Sequence, residues 1–157
     1  MNSIREAVIA AECAAATGLP VCVSFVVGPN GRAPDQQTVG EEDVAAPMTL
    51  LSGETIDSAV AALTNLKPAA IMVNCVPLVY ADHAYAKLRA AYRGPIGLYA
   101  NVGHADDVSG WTLTDDVQPA AYARHARRWI AQRAAIVGGC CGTSPAHIEA
   151  IRKHADK

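Results

Sequence analysis

The chain has 157 residues, of which 51% are hydrophobic and 18% charged, a balance that fits one folded domain and argues against disorder. Thirteen Lys and Arg residues against 15 Asp and Glu residues give a formal net charge of -2, and the sequence contains no basic run. We therefore do not expect a nucleic acid or an anionic membrane surface as a partner.

The amino-terminal segment looks apolar, but charges at Arg5, Glu6 and Glu12 interrupt it too early for a secretory signal or a membrane span. This pattern predicts a cytoplasmic protein. Five cysteines in that compartment indicate metal binding or catalysis rather than a disulfide framework, because the cytosol keeps thiols reduced and an odd count leaves one unpaired.

Apolar, β-branched runs alternate with helical patterns along the whole chain. The nearly continuous apolar character of these runs predicts parallel strands that are covered on both faces. The predicted helices are residues 4–17, 55–66, 82–92, 118–132 and 144–154. The predicted strands are residues 21–27, 69–74, 96–100 and 134–137.

The repetition predicts a single α/β domain over residues 1–157. A complete (β/α)₈ barrel needs about 250 residues, so four strands with their helices amount to roughly half a barrel. An open half exposes two edge strands and an apolar inner face, and we therefore expect it to associate with another chain. The alternative is a small doubly wound sheet, which requires helices on both faces and a topological switch point.

The segment GGCCGT at residues 138–143 follows directly on the last predicted strand. Neighbouring side chains of a strand point to opposite faces, so Cys140 and Cys141 can reach one metal only where the chain turns, and the glycines permit such a turn. Cys75 directly follows the predicted strand at residues 69–74, and parallel strands of a barrel all end on the same face. Three thiolates suit zinc and leave its fourth tetrahedral position open.

Each cysteine also has a purely structural interpretation. Cys140 and Cys141 taken alone fit a buried thiol pair or a strained vicinal disulfide, and Cys75 taken alone fits an ordinary buried cysteine. We assign Cys13 and Cys22 to packing, because they lie in the first helix and near the start of the first strand.

Several segments resemble one known family. GGCCGTSPAHIEAI at 138–151, VNC at 73–75 and YANVG at 99–103 resemble the zinc-binding segments of the homocysteine S-methyltransferase family. VSFVVGPNGR at 23–32, SGETIDSAVAAL at 52–63 and WTLTDDVQPAAYARHARRW at 111–129 extend the likeness through the chain. Members of the family are complete (β/α)₈ TIM-type barrels, so the resemblance implies the C-terminal half of such a barrel.

The resemblance implies a zinc enzyme in which Cys75, Cys140 and Cys141 bind Zn²⁺. Its substrates would be homocysteine, whose sulfur takes the open zinc position, and an onium methyl donor such as S-methylmethionine or S-adenosylmethionine; the product would be methionine. The first four barrel units have no counterpart here, which favours a homo-oligomer or a second chain that completes the barrel. The alternative is a noncatalytic zinc-stabilised partial barrel, acting as an interaction module or an inactive fragment.

Further polar residues lie at the same predicted face. Asn74, Asn101 and His104 follow strand ends and are candidate substrate-binding residues, although asparagine at such junctions also forms turns. The long connection at 101–117 contains Trp111 and fits either a lid or a surface excursion. The remaining histidines fall on predicted helices, where we expect them to be solvated: His83, His125, His147 and His154.

Overall fold

The computed structural model describes residues 1–32, 46–106, 110–112 and 118–155, and of residues 104–106, 110–112, 154 and 155 it describes the backbone. The helices are α1 (Ile4–Ala15), α2 (Ile56–Leu63), α3 (Leu78–Ala91), α4 (Pro119–Ala131) and α5 (Pro145–Ala155), with a short 3-10 helix at Thr64–Leu66. The strands are β1 (Cys22–Pro29), β2 (Met48–Leu50), β3 (Ala70–Pro77), β4 (Ile96–Asn101), β5 (His104–Asp106), β6 (Gly110–Thr112) and β7 (Ile136–Gly139).

The main sheet has the strand order β2-β1-β3-β4-β7, in which β1, β3, β4 and β7 are parallel neighbours. These strands follow one another in chain order without a reversal, so the sheet has no topological switch point of the doubly wound kind. The prediction of an α/β fold with parallel strands alternating with helices, as in half a barrel, is confirmed.

Some element bounds differ from the prediction. The helix expected at 82–92 begins at Leu78, because Pro77 ends β3 and directly precedes the first helical turn. The last strand runs from Ile136 rather than from residue 134. The prediction missed β2, which pairs antiparallel with the end of β1 through Val27 and Leu50, because three residues are too short to display a period.

The two sides of the sheet differ in burial. The side chains on one side pack with the helices into the hydrophobic core, and matched registers place them in rows across β1, β3 and β4: Val23, Phe25, Ile71, Val73, Ile96 and Leu98. The other side, called here the inner face, carries half-buried or exposed side chains: Ser24, Val26, Met72, Asn74, Tyr99 and Ile136. The apolar inner face expected of a half barrel is thus open to solvent.

The outer edge of β1 is partly covered. β2 pairs with the last three residues of β1. Met1 makes hydrogen bonds to the middle of β1: its amino group donates to Ser24 O at 2.8 Å, and its carbonyl accepts from Val26 N at 3.0 Å. Within the described residues, β7 has β4 as its single strand neighbour. The expectation of two unpaired edges therefore holds for β7 and needs correction for β1.

Burial corrects two further expectations. Cys13 and Cys22 are exposed rather than packed. His147 is buried, not solvated, and its Nδ1 accepts a hydrogen bond from Ser144 N at 3.1 Å, which satisfies a backbone donor at the start of α5. His83 and His125 are half-buried, and the side chain of His154 lies outside the described residues.

Across the described parts of the chain, no helix has both the length and the apolar character that crossing a bilayer requires.

Candidate metal centre

The end of β3 departs from regular strand geometry. The register between β3 and β4 shifts between Asn74 and Pro77, and Cys75 has a φ of 55°. This left-handed conformation costs a non-glycine residue about 1–2 kcal/mol, so residues that adopt it often mark functional positions. The irregularity frees the Cys75 side chain from the strict two-residue alternation of the strand.

A tight turn follows β7. Thr143 N donates to Cys140 O at 3.2 Å, and Gly142 has a φ of 74°, as a type II turn requires at its third position. The Thr143 hydroxyl donates to the same Cys140 carbonyl at 2.6 Å. A Cβ on Gly139 would overlap Thr143 Oγ1, so a glycine is needed there for the turn to close.

Backbone hydrogen bonds tie this turn to the end of β4. Cys140 N donates to Ala100 O at 2.9 Å, and Val102 N donates to Cys141 O at 3.0 Å. Because β4 also pairs with β3, the two adjacent cysteines come to lie beside Cys75 although the sequence separation is 65 and 66 residues, from 140 − 75 and 141 − 75.

The three sulfur atoms form one cluster. The Sγ atoms of Cys75 and Cys141 are 3.4 Å apart, those of Cys140 and Cys141 are 3.9 Å apart, and all three lie within 4.8 Å of one another. A tetrahedral zinc ion with Zn–S distances of about 2.3 Å places its sulfur ligands about 3.8 Å apart. The cluster has the dimensions of such a ligand set, and the cysteines are free thiols, which argues against a vicinal disulfide.

The charge balance of the cluster favours a cation. Burial, followed by hydrogen bonds with Cys140 and Cys141 and charge repulsion from them, raises the pKa of Cys75 to about 12. A neutral thiol is therefore the stable form of Cys75 at neutral pH, and three thiolates can coexist here only around a positive ion. Cys141 is exposed and the other two cysteines are half-buried, so a small molecule can reach the open side.

The predicted substrate-binding residues have different surroundings. Asn74 is half-buried, and its Oδ1 accepts a hydrogen bond from Ser24 Oγ at 2.7 Å. Asn101 is buried at the end of β4, and within the described residues its Oδ1 has no hydrogen-bond partner. Both asparagines stay candidate substrate-binding residues.

The connection after β4 contains a two-stranded hairpin of β5 and β6. His104 begins β5, and Trp111 lies in the middle of β6. Both side chains lie outside the described residues, so the roles of His104 as a substrate contact and of Trp111 in a lid stay predictions.

Sequence reasoning missed two residues that support the centre, Ser24 and Tyr122. Ser24 bonds the asparagine next to Cys75, and the Tyr122 hydroxyl bonds backbone groups of Ala100 and Gly138. Both contacts join residues on different elements. No local pattern marks Tyr122, whereas the polar Ser24 in an otherwise apolar strand was a usable signal.

The fold and the thiol cluster define a parallel α/β protein of the barrel class with a candidate metal centre at the carboxyl ends of its strands. The family model described as homocysteine S-methyltransferase matches residues 1–155. The chain belongs to the homocysteine S-methyltransferase family.

Two relatives illustrate how much of the family the chain spans. Homocysteine S-methyltransferase 2 of Arabidopsis thaliana is 26% identical over 109 residues, which are 68% of this chain and 33% of the plant protein. Homocysteine S-methyltransferase YbgG of Bacillus subtilis strain 168 is 32% identical over 83 residues, which are 53% of this chain and 26% of the bacterial protein. The matched segments thus cover about a third of the plant relative and about a quarter of the bacterial one.

A solved structure supports the fold. The metallated form of the homocysteine methyltransferase MmuM from Escherichia coli matches with a TM-score of 0.59 and 23% identity, over 98% of this chain and 42% of that chain. At this identity the likeness shows the fold.

Proposed function

We propose that this chain carries the zinc-binding part of a homocysteine S-methyltransferase, an enzyme that methylates the sulfur of homocysteine and forms methionine. The observation that carries the proposal is the cluster of three cysteine sulfurs within 4.8 Å of one another at the ends of β3 and β7. Membership in the family supports homocysteine as the methyl acceptor. We expect the reaction to take place in the cytoplasm, where reducing conditions keep thiols available as ligands.

The donor set fits zinc. Cys75, Cys140 and Cys141 would hold one Zn²⁺ through three thiolates, which leaves a fourth position on the accessible side of the cluster. Bound zinc supplies a Lewis acid that lowers the pKa of a coordinated thiol. Three thiolates around a divalent ion carry a net charge of −1, so they keep electron density on a sulfur bound beside them.

The proposed transfer balances without a further reagent. The homocysteine thiolate attacks the methyl carbon of an onium donor, such as S-methylmethionine or S-adenosylmethionine. A carbon–sulfur bond forms to homocysteine while the donor's methyl–sulfur bond breaks, and its electron pair returns to the donor sulfur and cancels the positive charge. The protein mainly positions the reactants, which can lower a barrier by about 7–11 kcal/mol.

We assign substrate positioning to Asn74, Asn101 and His104. The side-chain Oδ1 of Asn101 is buried without a partner in the described residues, and a buried acceptor of this kind gains from a donor on a ligand. Asn74 immediately precedes Cys75 and is oriented by Ser24. His104 follows the end of β4 by three residues and begins the separate β5–β6 hairpin.

We infer that a second chain covers the inner face in the active protein. Met72 and Tyr99 are half-buried there and Ile136 is 39% exposed, which leaves apolar surface that closure of a barrel would bury. A chain that supplies the first four β/α units fits better than a second copy, because a copy repeats the same half. Sedimentation analysis of this chain mixed with a protein that carries the first four β/α units of a family member tests this inference: a complex that Ile136→Asp weakens supports it, and two components that sediment separately contradict it.

The first experiment measures bound zinc by elemental analysis and counts sulfur neighbours by X-ray absorption, before and after addition of homocysteine. We expect one zinc per chain and a rise from three sulfur neighbours to four. Homoserine is the matched control, because it offers a hydroxyl in place of the thiol and cannot add a sulfur neighbour.

The outcomes separate the two functional hypotheses. A fourth sulfur neighbour supports an open, thiol-activating site. One zinc with an unchanged shell contradicts the enzyme and favours a noncatalytic zinc-stabilised module, whereas the absence of zinc contradicts both.

A further inference from the structure

Tyr122 reaches from the helix layer to the ends of two neighbouring strands. It lies on α4 and is fully buried. Its hydroxyl accepts a hydrogen bond from Ala100 N at 3.0 Å and donates to Gly138 O at 2.7 Å, while Ala100 O lies 3.1 Å away. The single hydroxyl therefore bonds the ends of both β4 and β7.

The ring that carries this hydroxyl is held on two sides. The rings of Trp129 and His147 meet Tyr122 edge-to-face, with centroid distances of 6.0 and 5.7 Å and interplanar angles of 89° and 90°. Such aromatic pairs restrict ring orientation. Burial raises the pKa of Tyr122 well above its usual range, so the hydroxyl remains a proton donor throughout the physiological pH range.

The backbone groups that Tyr122 bonds are those that place the adjacent cysteines. Ala100 O, next to the hydroxyl, accepts the hydrogen bond from Cys140 N at 2.9 Å. Gly138 precedes Cys140 by two residues at the end of β7. A displacement of either group would shift the turn that carries Cys140 and Cys141 relative to Cys75 on β3.

We infer that Tyr122 is a positioning residue of the metal centre: its hydroxyl sets the spacing between β4 and β7 and thereby holds Cys140 and Cys141 in reach of Cys75. This inference rests on the proposed zinc site. The inferred role is indirect: Tyr122 lies outside the cysteine motif and acts through the backbone that carries Cys140 and Cys141.

Tyr85 provides a matched control in the same chain. It is also fully buried, and its hydroxyl also donates to a backbone carbonyl, Gln132 O at 2.8 Å. That carbonyl follows the end of α4, in the helix layer rather than beside the cysteines. If Tyr122 only stabilised the fold, removing either hydroxyl would have the same consequences.

The experiment compares Tyr122→Phe and Tyr85→Phe in the full chain. Zinc affinity is measured by competition with a chelator, and Co²⁺ substitution reports the geometry through its thiolate charge-transfer and ligand-field bands. We expect Tyr122→Phe to weaken zinc binding by about tenfold, the lower end of the effect of outer-shell partners, and to shift the Co²⁺ bands. Both variants should lose about 2–4 °C in Tm, but Tyr85→Phe should keep the wild-type affinity and spectrum.

The outcomes distinguish this inference from the proposed function. If the unmodified chain binds no metal, the zinc site and the role of Tyr122 both fall. If it binds zinc and Tyr122→Phe matches Tyr85→Phe in affinity and spectrum, the positioning role is refuted while the zinc site stands. Circular dichroism verifies that both variants are folded before the comparison is made.

Discussion

The helix-covered core and the rim of the sheet differ in how regular their backbone is and in how fully their polar groups are paired. The rim comprises Cys75, Asn101 and residues 138–143, at the carboxyl ends of the strands. Core residues such as Ile71 and Leu98 lie in regular register and are fully buried, whereas the rim contains a left-handed cysteine and a buried oxygen without a partner in the described residues. In the core, local conformational preferences agree with the fold and stabilise it. At the rim, strained or unpaired groups lower the free energy of unfolding where ligands must converge.

The largest expected effect separates the rim from cysteines elsewhere. Cys75→Ser, Cys140→Ser or Cys141→Ser should each remove stoichiometric zinc, because a lost thiolate forfeits about a quarter of the 10–16 kcal/mol typical of a four-ligand site, or roughly 10²–10³-fold in affinity. Elemental analysis after dialysis measures the retained metal. Cys13→Ser and Cys22→Ser are the controls and should retain it. Full zinc in any of the three rim variants contradicts the ligand set.

A core substitution should lower the stability of the fold and leave zinc binding intact. Leu98→Ala removes a fully buried side chain and should lower the free energy of unfolding by about 3 kcal/mol, within the range for buried leucines. Urea denaturation measures this change, with Leu19→Ala as the control because Leu19 is 70% exposed. The folded variant should still bind one zinc. Loss of metal without loss of stability would mean that core and rim are not separable.

Zinc affinity should rise with pH. The pKa of Cys75 is raised to about 12 in the metal-free protein, so this thiol is protonated throughout pH 6–8 and must release its proton when zinc binds. Each unit of added pH should therefore tighten binding at least about tenfold, and lower pH should weaken it by the same factor. Chelator competition at pH 6, 7 and 8 measures the slope. An affinity that does not change over this range would exclude Cys75 as a thiolate ligand.

The smallest expected effect concerns backbone strain at the rim. Cys75 has a φ of 55°, which glycine adopts without strain and serine, like cysteine, adopts only at a cost in free energy. Metal-free Cys75→Gly should therefore be more stable than metal-free Cys75→Ser by about 1 kcal/mol, although neither binds zinc stoichiometrically. Val73→Gly, in the regular part of the same strand, should destabilise the protein instead. Equal stability of the two Cys75 variants would remove the case for strain.

The comparison of core and rim also explains which predictions from sequence succeeded. Long apolar runs and amphipathic patterns identified the parallel strands and their helices, with bounds displaced by a few residues, as at Ile136 and Leu78. The sequence did not predict β2 or the β5–β6 hairpin, because a three-residue strand is too short to show a hydrophobic period. The burial of His147 and the exposure of Cys22 depend on neighbours from other elements, which a local pattern does not reveal.

The sequence by itself determined where the thiols stand along the chain. Cys75 and the pair Cys140 and Cys141 follow apolar strands, and parallel strands end at one edge of a sheet, so their proximity could be inferred without coordinates. Only the tertiary structure decided how the three sulfurs meet. Sulfur spacing depends on backbone positions that several strands fix together, so a local sequence pattern does not reveal it. Three features that contribute to it arise from contacts between distant elements: the register shift after Asn74, the left-handed Cys75 and the Tyr122 hydroxyl between β4 and β7.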